Sequence, residues 1–142
     1  MMYQLNEGSI DLPADWKDQS INILSASRLG EPGLSLTVTR DDIPWGMSFQ
    51  EYVDDQMKQA KASLKDFTIA DQREVALNGH AAVQLECRWV AKQGPMHQII
   101  TTVLSGNRAL VLTASMPGEM SATQRAEVQR IIGSLRLSPP GA

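Results

Sequence analysis

Cysteine and histidine are scarce in this sequence of 142 residues. Cys87 is the single cysteine, which excludes an intrachain disulfide and is typical of proteins from a reducing compartment. The two histidines, His80 and His97, have no cysteine or second histidine at the spacing of a zinc site. We therefore expect neither a metal site nor a bound cofactor.

Long apolar runs and an excess of positive charge are also missing. The longest apolar stretches, 99–104 and 109–114, fall well short of the roughly 18 residues that a membrane-spanning helix needs. Thirteen Lys and Arg face sixteen Asp and Glu, and the formal charge of −3 argues against a nucleic-acid partner. The first residues resemble no secretory signal. We expect a cytoplasmic protein that is not embedded in a membrane.

The composition is typical of a globular domain. Apolar residues make up 42% of the chain and charged residues 20%, which is unlike the charge-rich, apolar-poor composition of disordered proteins. The length matches one domain, since chains usually divide into domains of roughly 100 to 200 residues. We expect a single domain over 1–137, followed by a flexible tail over 138–142.

The first forty residues predict β structure. A short hairpin is predicted from Tyr3–Leu5 and Ser9–Leu12, because asparagine and glycine between them favour a turn. Ser20–Arg28 and Leu34–Arg40 predict two more strands, separated by a turn at Leu29–Gly33 that contains glycine and proline.

Two helices are predicted from capping signals and apolar spacing. Ser48 with Glu51, and Ser121 with Gln124, have the spacing of a capping box at a helix start. Apolar residues then recur at helical spacing. The first helix has them at Phe49, Tyr52, Val53, Met57, Ala60 and Leu64, and the second at Val128, Ile131, Ile132 and Leu135.

Four longer strands are predicted between the two helices. They are Phe67–Leu77, Ala81–Ala91, Met96–Ser105 and Arg108–Met116. Each separator is a short turn sequence, and short turns join antiparallel strands. The expected fold class is therefore α+β, with an antiparallel sheet of about seven strands and two helices packed on it.

No motif for catalysis is present. The chain lacks a G-x-S-x-G elbow, and neighbouring carboxylates such as Asp41 and Asp42 point apart, so they form no acid–base pair. The tryptophans Trp16, Trp45 and Trp89 are interpreted as partly buried anchors rather than as a ligand-stacking set. We expect no enzymatic activity.

Several predicted strands are apolar on both faces. Ile21 and Ile23 alternate with Leu24, and Ile99 alternates with Ile100. Two helices of about 10 Å diameter cover only part of one face of such a sheet. Self-association or an apolar ligand would bury the remainder. The alternative is that the strand boundaries differ and these residues share one core.

The chain resembles a known family over nearly its whole length. The strongest likeness is residues 36–56 (LTVTRDDIPWGMSFQEYVDDQ), and it continues at 6–13 (NEGSIDLP), 78–82 (NGHAA) and 94–98 (GPMHQ). These segments look like the DcrB-related family of PsbP-like folds, and within it the Eag chaperones of bacterial type VI secretion.

The resemblance implies a function without catalysis. It implies a homodimer that holds the N-terminal transmembrane segments of an effector with a PAAR domain and helps to load it onto the VgrG spike. Alternatives are a binding module for a small apolar ligand or a cell-envelope component, and an enzyme with a cryptic site. By pattern we place the client-binding groove on Ile21, Ile23, Leu36, Val38, Gln98, Ile100 and Thr102.

Overall fold

A computed structural model of the protein describes residues 1–26 and 33–138. The predicted turn at 29–33 and the end of the predicted tail lie largely outside the described residues. The elements are β1 (Met2–Gln4), β2 (Ser9–Asp11), β3 (Asn22–Ser25), β4 (Ser35–Asp42), α1 (Phe49–Ser63), β5 (Thr68–Leu77), β6 (His80–Ala91), β7 (Gly94–Ser105), β8 (Arg108–Pro117) and α2 (Ala122–Gly133).

The strands form two antiparallel sheets. Among the described residues, the main sheet has six strands in the order β3-β4-β8-β7-β6-β5, and β1 pairs with β2 in a separate small sheet. The predicted α+β class is confirmed, with the predicted hairpin forming its own small sheet. Asn78 and Gly79 join β5 to β6 with φ of 49° and 86°, a left-handed conformation that asparagine and glycine adopt most easily.

Both helices begin where the capping boxes predict. The Ser48 hydroxyl accepts from the Glu51 N–H at 3.1 Å, and the Glu51 carboxylate accepts from the Ser48 N–H. Ser121 and Gln124 form the same pair of hydrogen bonds at the start of α2. These contacts satisfy N–H groups that have no partner within a helix.

The start of β7 differs from the prediction. Gly94 and Pro95 were expected in a turn, yet they pair with Ala91 and Val90 as the first residues of the strand. Proline is tolerated here because the Val90 N–H donates to the Lys65 carbonyl at 2.9 Å, and the Pro95 carbonyl accepts from Gly118. Val90 and Pro95 therefore form a non-hydrogen-bonded pair, and the missing N–H of Pro95 breaks no hydrogen bond between β6 and β7.

The two helices lie on opposite faces of the main sheet. Ala82 packs in a core with Val128 and Ile132 of α2, whereas Val83 packs with Tyr52 and Val53 of α1. Adjacent residues of a strand point to opposite faces, so the helices cannot share one. The expectation that both helices cover a single face is wrong. Because α1 connects β4 to β5 at the far edge of the sheet, it must cross a face by itself.

Candidate functional site

One corner of the sheet on the α1 side is left uncovered by that helix. At its start, α1 is held over the end of β4, where the Tyr52 hydroxyl donates to Asp41 Oδ2 at 2.8 Å. Just after the helix, the Lys65 carbonyl contacts Val90 on β6. The helix therefore runs diagonally, and the opposite corner of β3, β4, β8 and β7 stays open.

The strand register defines what lines this corner. Ile23 pairs with Thr37, Thr37 with Thr113, and Thr113 with Ile100, so the four residues form one row across four strands. In a neighbouring row, Ser35 pairs with Ser115, and Ser115 pairs with Gln98. We call this surface the open face; it consists of Ile23, Ser35, Thr37, Gln98, Ile100, Thr113 and Ser115.

Exposure separates the open face from the surface beneath α1. Val83, Leu85 and Cys87 of β6 point to the same side of the sheet and are buried. In contrast, Ile100 is half-buried, and Ile23 is 74% exposed. The open face is therefore an accessible floor of two isoleucines and small hydroxyl side chains.

Hydrogen bonds orient the amide of this floor. The Trp89 indole Nε1 donates to Gln98 Oε1 at 2.8 Å, and Gln98 Nε2 donates to Ser115 Oγ at 3.0 Å. A serine hydroxyl that accepts one hydrogen bond keeps its own proton to donate. The chain from Trp89 to Ser115 thus presents an oriented hydroxyl beside apolar Ile100.

Four of the seven residues predicted for the groove share this side of the sheet, and a fifth, Ile21, lies at the sheet edge. Ile23, Gln98 and Ile100 belong to the open face, and Thr102 lies on the same side between Val83 and Val111. Ile21 directly precedes β3, is mostly exposed, and lines a recess of about 320 Å³ with Thr39.

The other two predicted groove residues point the opposite way. Leu36 pairs with Leu24 and Ala114, Val38 pairs with Leu112, and both pack against the α2 core. The seven residues therefore do not form one surface. Alternation within β4 determines that Leu36 and Val38 share a face, but the β3–β4 pairing decides that this face is not that of Ile23.

A cluster of polar side chains around buried His97 on the α2 face was not predicted from the sequence. His97 is 0% exposed, its Nδ1 accepts from the Met120 N–H at 2.9 Å, and its Nε2 lies 2.7 Å from Glu86 Oε2. Because Nδ1 accepts, neutral His97 carries its proton on Nε2 and donates to Glu86. Arg125 of α2 donates to the other oxygen of Glu86 at 2.6 Å.

This cluster attaches the start of α2 to the sheet. Burial by itself raises the pKa of Glu86, but hydrogen bonds from Arg125 and His97 outweigh burial and hold that pKa below its ordinary value of 4.5. The partners are 11 and 39 positions from Glu86, so no local pattern could have revealed them.

The single cysteine is buried, whereas two of the three tryptophans are exposed. Cys87 is fully buried, and burial raises the pKa of its thiol to about 11, with the nearby Glu86 carboxylate adding to the effect. Trp89 is a half-buried anchor as predicted, but Trp45 is fully exposed and Trp16 is mostly exposed, so the anchor interpretation is wrong for these two.

Among residues 1–26 and 33–138, no three His, Cys, Asp or Glu side chains converge as metal ligands would. No helix in that same part of the chain has both the length and the apolar character needed to cross a membrane.

An α+β protein whose antiparallel sheet has an exposed surface of apolar and hydroxyl side chains on one side is the class that the fold and the site define. The chain belongs to the DcrB family, whose sequence model matches residues 7–134. Over 89 residues it is 33% identical to a Pseudomonas aeruginosa (strain PAO1) protein named Effector EagT6. That match covers 62% of this chain and 62% of the relative, which is less than two thirds of the relative's length.

A solved structure from Pseudomonas aeruginosa has the same fold. The crystal structure of PA94, a Pseudomonas aeruginosa protein of unknown function, superposes with a TM-score of 0.83 over 98% of this chain and 97% of that chain, at 24% identity. Cyanobacterial PsbP from Synechocystis sp. PCC 6803 superposes with a TM-score of 0.48 over 87% and 93% of the two chains, at 10% identity. The predicted DcrB-related membership is confirmed.

Proposed function

We propose that this protein is a non-enzymatic cytoplasmic chaperone that shields the N-terminal transmembrane segments of a PAAR-containing type VI secretion effector and aids its loading onto the VgrG spike. The open face is the observation that carries this proposal. It offers apolar and hydrogen-bonding groups together, and neither α1 nor α2 covers it. The similarity to EagT6 supports a role beside such an effector.

The chemistry of the open face suits an apolar helix. Transmembrane helices pack closely where small residues let backbones approach, and serine, threonine or glutamine then form hydrogen bonds across the interface. Thr37, Thr113 and Ser115 supply small hydroxyl side chains. Ile23 and Ile100 supply apolar contact at either side of them. The open face would thus replace a neighbouring helix rather than lipid alone.

The width of the open face favours a homodimer in this role. Its four strands have three spacings of about 4.8 Å, so the open face is about 14 Å across. A transmembrane helix is about 30 Å long. A second copy of the chain would extend the floor and cover the remaining length of the client.

Co-purification of the chaperone with the effector tests this function. We expect that Ile23→Glu lowers recovery of a PAAR effector at least tenfold, because a buried carboxylate would face the apolar client. Leu24→Glu is the matched control, since Leu24 is the next residue and points to the other face. Circular dichroism of both variants reports whether the fold is retained.

The effector supplies the second half of the test. Deleting its N-terminal apolar segment should abolish co-purification with the unchanged chaperone. Equal recovery of the full and shortened effectors would refute the client proposal. Equal recovery with Ile23→Glu and with the unchanged protein would move the binding site away from the open face.

A further inference from the structure

An apolar recess lies on the α2 side of the sheet, away from the open face. α2 packs over the middle strands and leaves the β3–β4 edge partly uncovered, where Leu24 is 57% exposed. A cavity of about 280 Å³ opens between this edge and Ile131 and Ile132 of the helix. Its lining is almost wholly apolar and includes Leu24, Leu34, Leu36, Ala114 and Val128.

A second cavity of about 480 Å³ continues along the same strands. Leu24 lines both cavities, and the second adds Val38, Leu112 and Leu137. The two cavities together extend from Leu34 to Arg40. These positions are six residues apart, so the combined length is about 20 Å at the rise of a β-strand. We call the combined recess the α2 trough.

Positive charge is concentrated at one end of the α2 trough. Arg40, Arg108 and Arg136 line this end, and no carboxylate is among the described residues of the lining. Arg136 donates to the carbonyls of Gly133 and Leu135. Arg40 donates to Asn22 Oδ1 at 2.6 Å. Within the described residues, neither Arg40 nor Arg136 forms an ion pair with a carboxylate.

Arg108 is only partly neutralised by its neighbour. Its Nε lies 3.1 Å from Asp42 Oδ1, close enough for an ion pair, but this buried N–H has no aligned hydrogen-bond acceptor among the described residues. Asp42 also pairs with Lys17. One carboxylate therefore serves two cations, and this end of the α2 trough retains a positive excess.

We propose that the α2 trough binds a long-chain fatty acid anion, with its acyl chain along Leu36 and Val38 and its carboxylate at the arginine end. An apolar channel closed by arginines matches this ligand, because burying each CH₂ of an acyl chain is favourable and arginine pairs with carboxylates through two hydrogen bonds. The site is on the opposite face from the proposed client, so it does not depend on that proposal.

Isothermal titration with fatty acids of eight, twelve and sixteen carbons tests the site. We expect affinity to rise with chain length, and laurate to bind at least tenfold more tightly than dodecanol, which has no carboxylate. The variant Leu24→Glu should weaken laurate binding at least tenfold by placing a carboxylate in the channel. Ile23→Glu is the matched control and should bind laurate normally.

The arginine end is tested separately. Replacing both Arg40 and Arg136 by glutamine should lower laurate affinity to that of dodecanol and leave dodecanol binding unchanged. Equal affinity of the unchanged protein for laurate and dodecanol would overturn the assignment of the head group.

Two outcomes would overturn the site itself. One is the absence of saturable binding for all three fatty acids. The other is that Leu24→Glu disrupts a dimer, while laurate neither binds the unchanged protein nor changes its oligomeric state. A second copy of the chain would then be the occupant of the α2 trough. Client binding by Ile23→Glu and Leu24→Glu separates either failure from failure of the chaperone proposal.

Discussion

The two faces of β7 differ in what covers them rather than in what they contain. Ile99 and Ile100 are the same residue type at adjacent positions, yet Ile99 is 1% exposed in the α2 core and Ile100 is half-buried on the open face. Thr101, facing α2, is fully buried, whereas Thr102 is half-buried. Polarity therefore does not distinguish the stabilising face from the proposed binding face.

The two faces of the sheet therefore have different roles. On the α2 face, side chains such as Val103 and Ile132 are out of water and contribute to folding. On the open face, the same kinds of side chain retain exposed surface that a partner would remove from water. The comparison can be tested by equal substitutions on the two faces.

The largest expected difference is between the two isoleucines. We expect Ile99→Ala to lower the free energy of unfolding by about 2–5 kcal/mol, because it opens a cavity in a closed core. Ile100→Ala should cost less than about 1.5 kcal/mol, because its site is already partly hydrated. Urea unfolding of both variants measures the difference, and equal losses would show that the open face is covered in solution.

The buried histidine should have the next largest effect. His97→Phe leaves the Met120 N–H and one oxygen of Glu86 without their partner, and we expect a loss of about 1–3 kcal/mol. His80→Phe is the control, since His80 lies in the turn end of β6 and is only half-buried. A similar loss in both variants, measured by urea unfolding, would contradict the role of the cluster.

The helix caps should contribute equally on the two faces. Ser48→Ala and Ser121→Ala each remove the acceptor of a capping box, and we expect each to cost about 1 kcal/mol. Ser63→Ala, at the exposed end of α1, should change the melting temperature much less. A markedly larger loss of stability for Ser121→Ala than for Ser48→Ala would contradict this expectation. It would show that the start of α2 depends on its cap even though His97 also contacts it.

Acid should weaken the α2 face through Glu86. Its folded pKa lies below the ordinary value of 4.5, so its stabilising effect is present above that pH and is lost as the pH falls through the folded value. We expect Glu86→Gln to be less stable at pH 7 and to lose less stability on acidification. Urea unfolding between pH 7 and pH 3 measures both slopes, and parallel slopes would assign acid sensitivity to other carboxylates.

Local chemistry made much of the fold predictable. The capping pairs at Ser48 and Ser121 located both helix starts, since each depends on residues only three positions apart. The turn at Asn78 and Gly79 located the β5–β6 hairpin, because few other residues adopt its left-handed geometry. The fully exposed Trp45 was not predictable in this way, because the exposure of a loop side chain depends on distant packing.

The candidate site was predictable only in part. Alternation within one strand correctly placed Gln98, Ile100 and Thr102 on one face. It could not relate that face to Leu36 and Val38, because the relation depends on pairing between strands far apart in the chain. The contact of His97 with Met120 likewise spans 23 positions and has no local signal.

The sequence by itself determined where both helices begin and which residues of each strand share a face, because caps and alternation act over a few residues. The tertiary structure alone decided which face each helix covers. That choice depends on α1 crossing from β4 to the far edge of the sheet while α2 packs beneath it. The same strand pattern therefore yields a closed core on one side and an open face on the other.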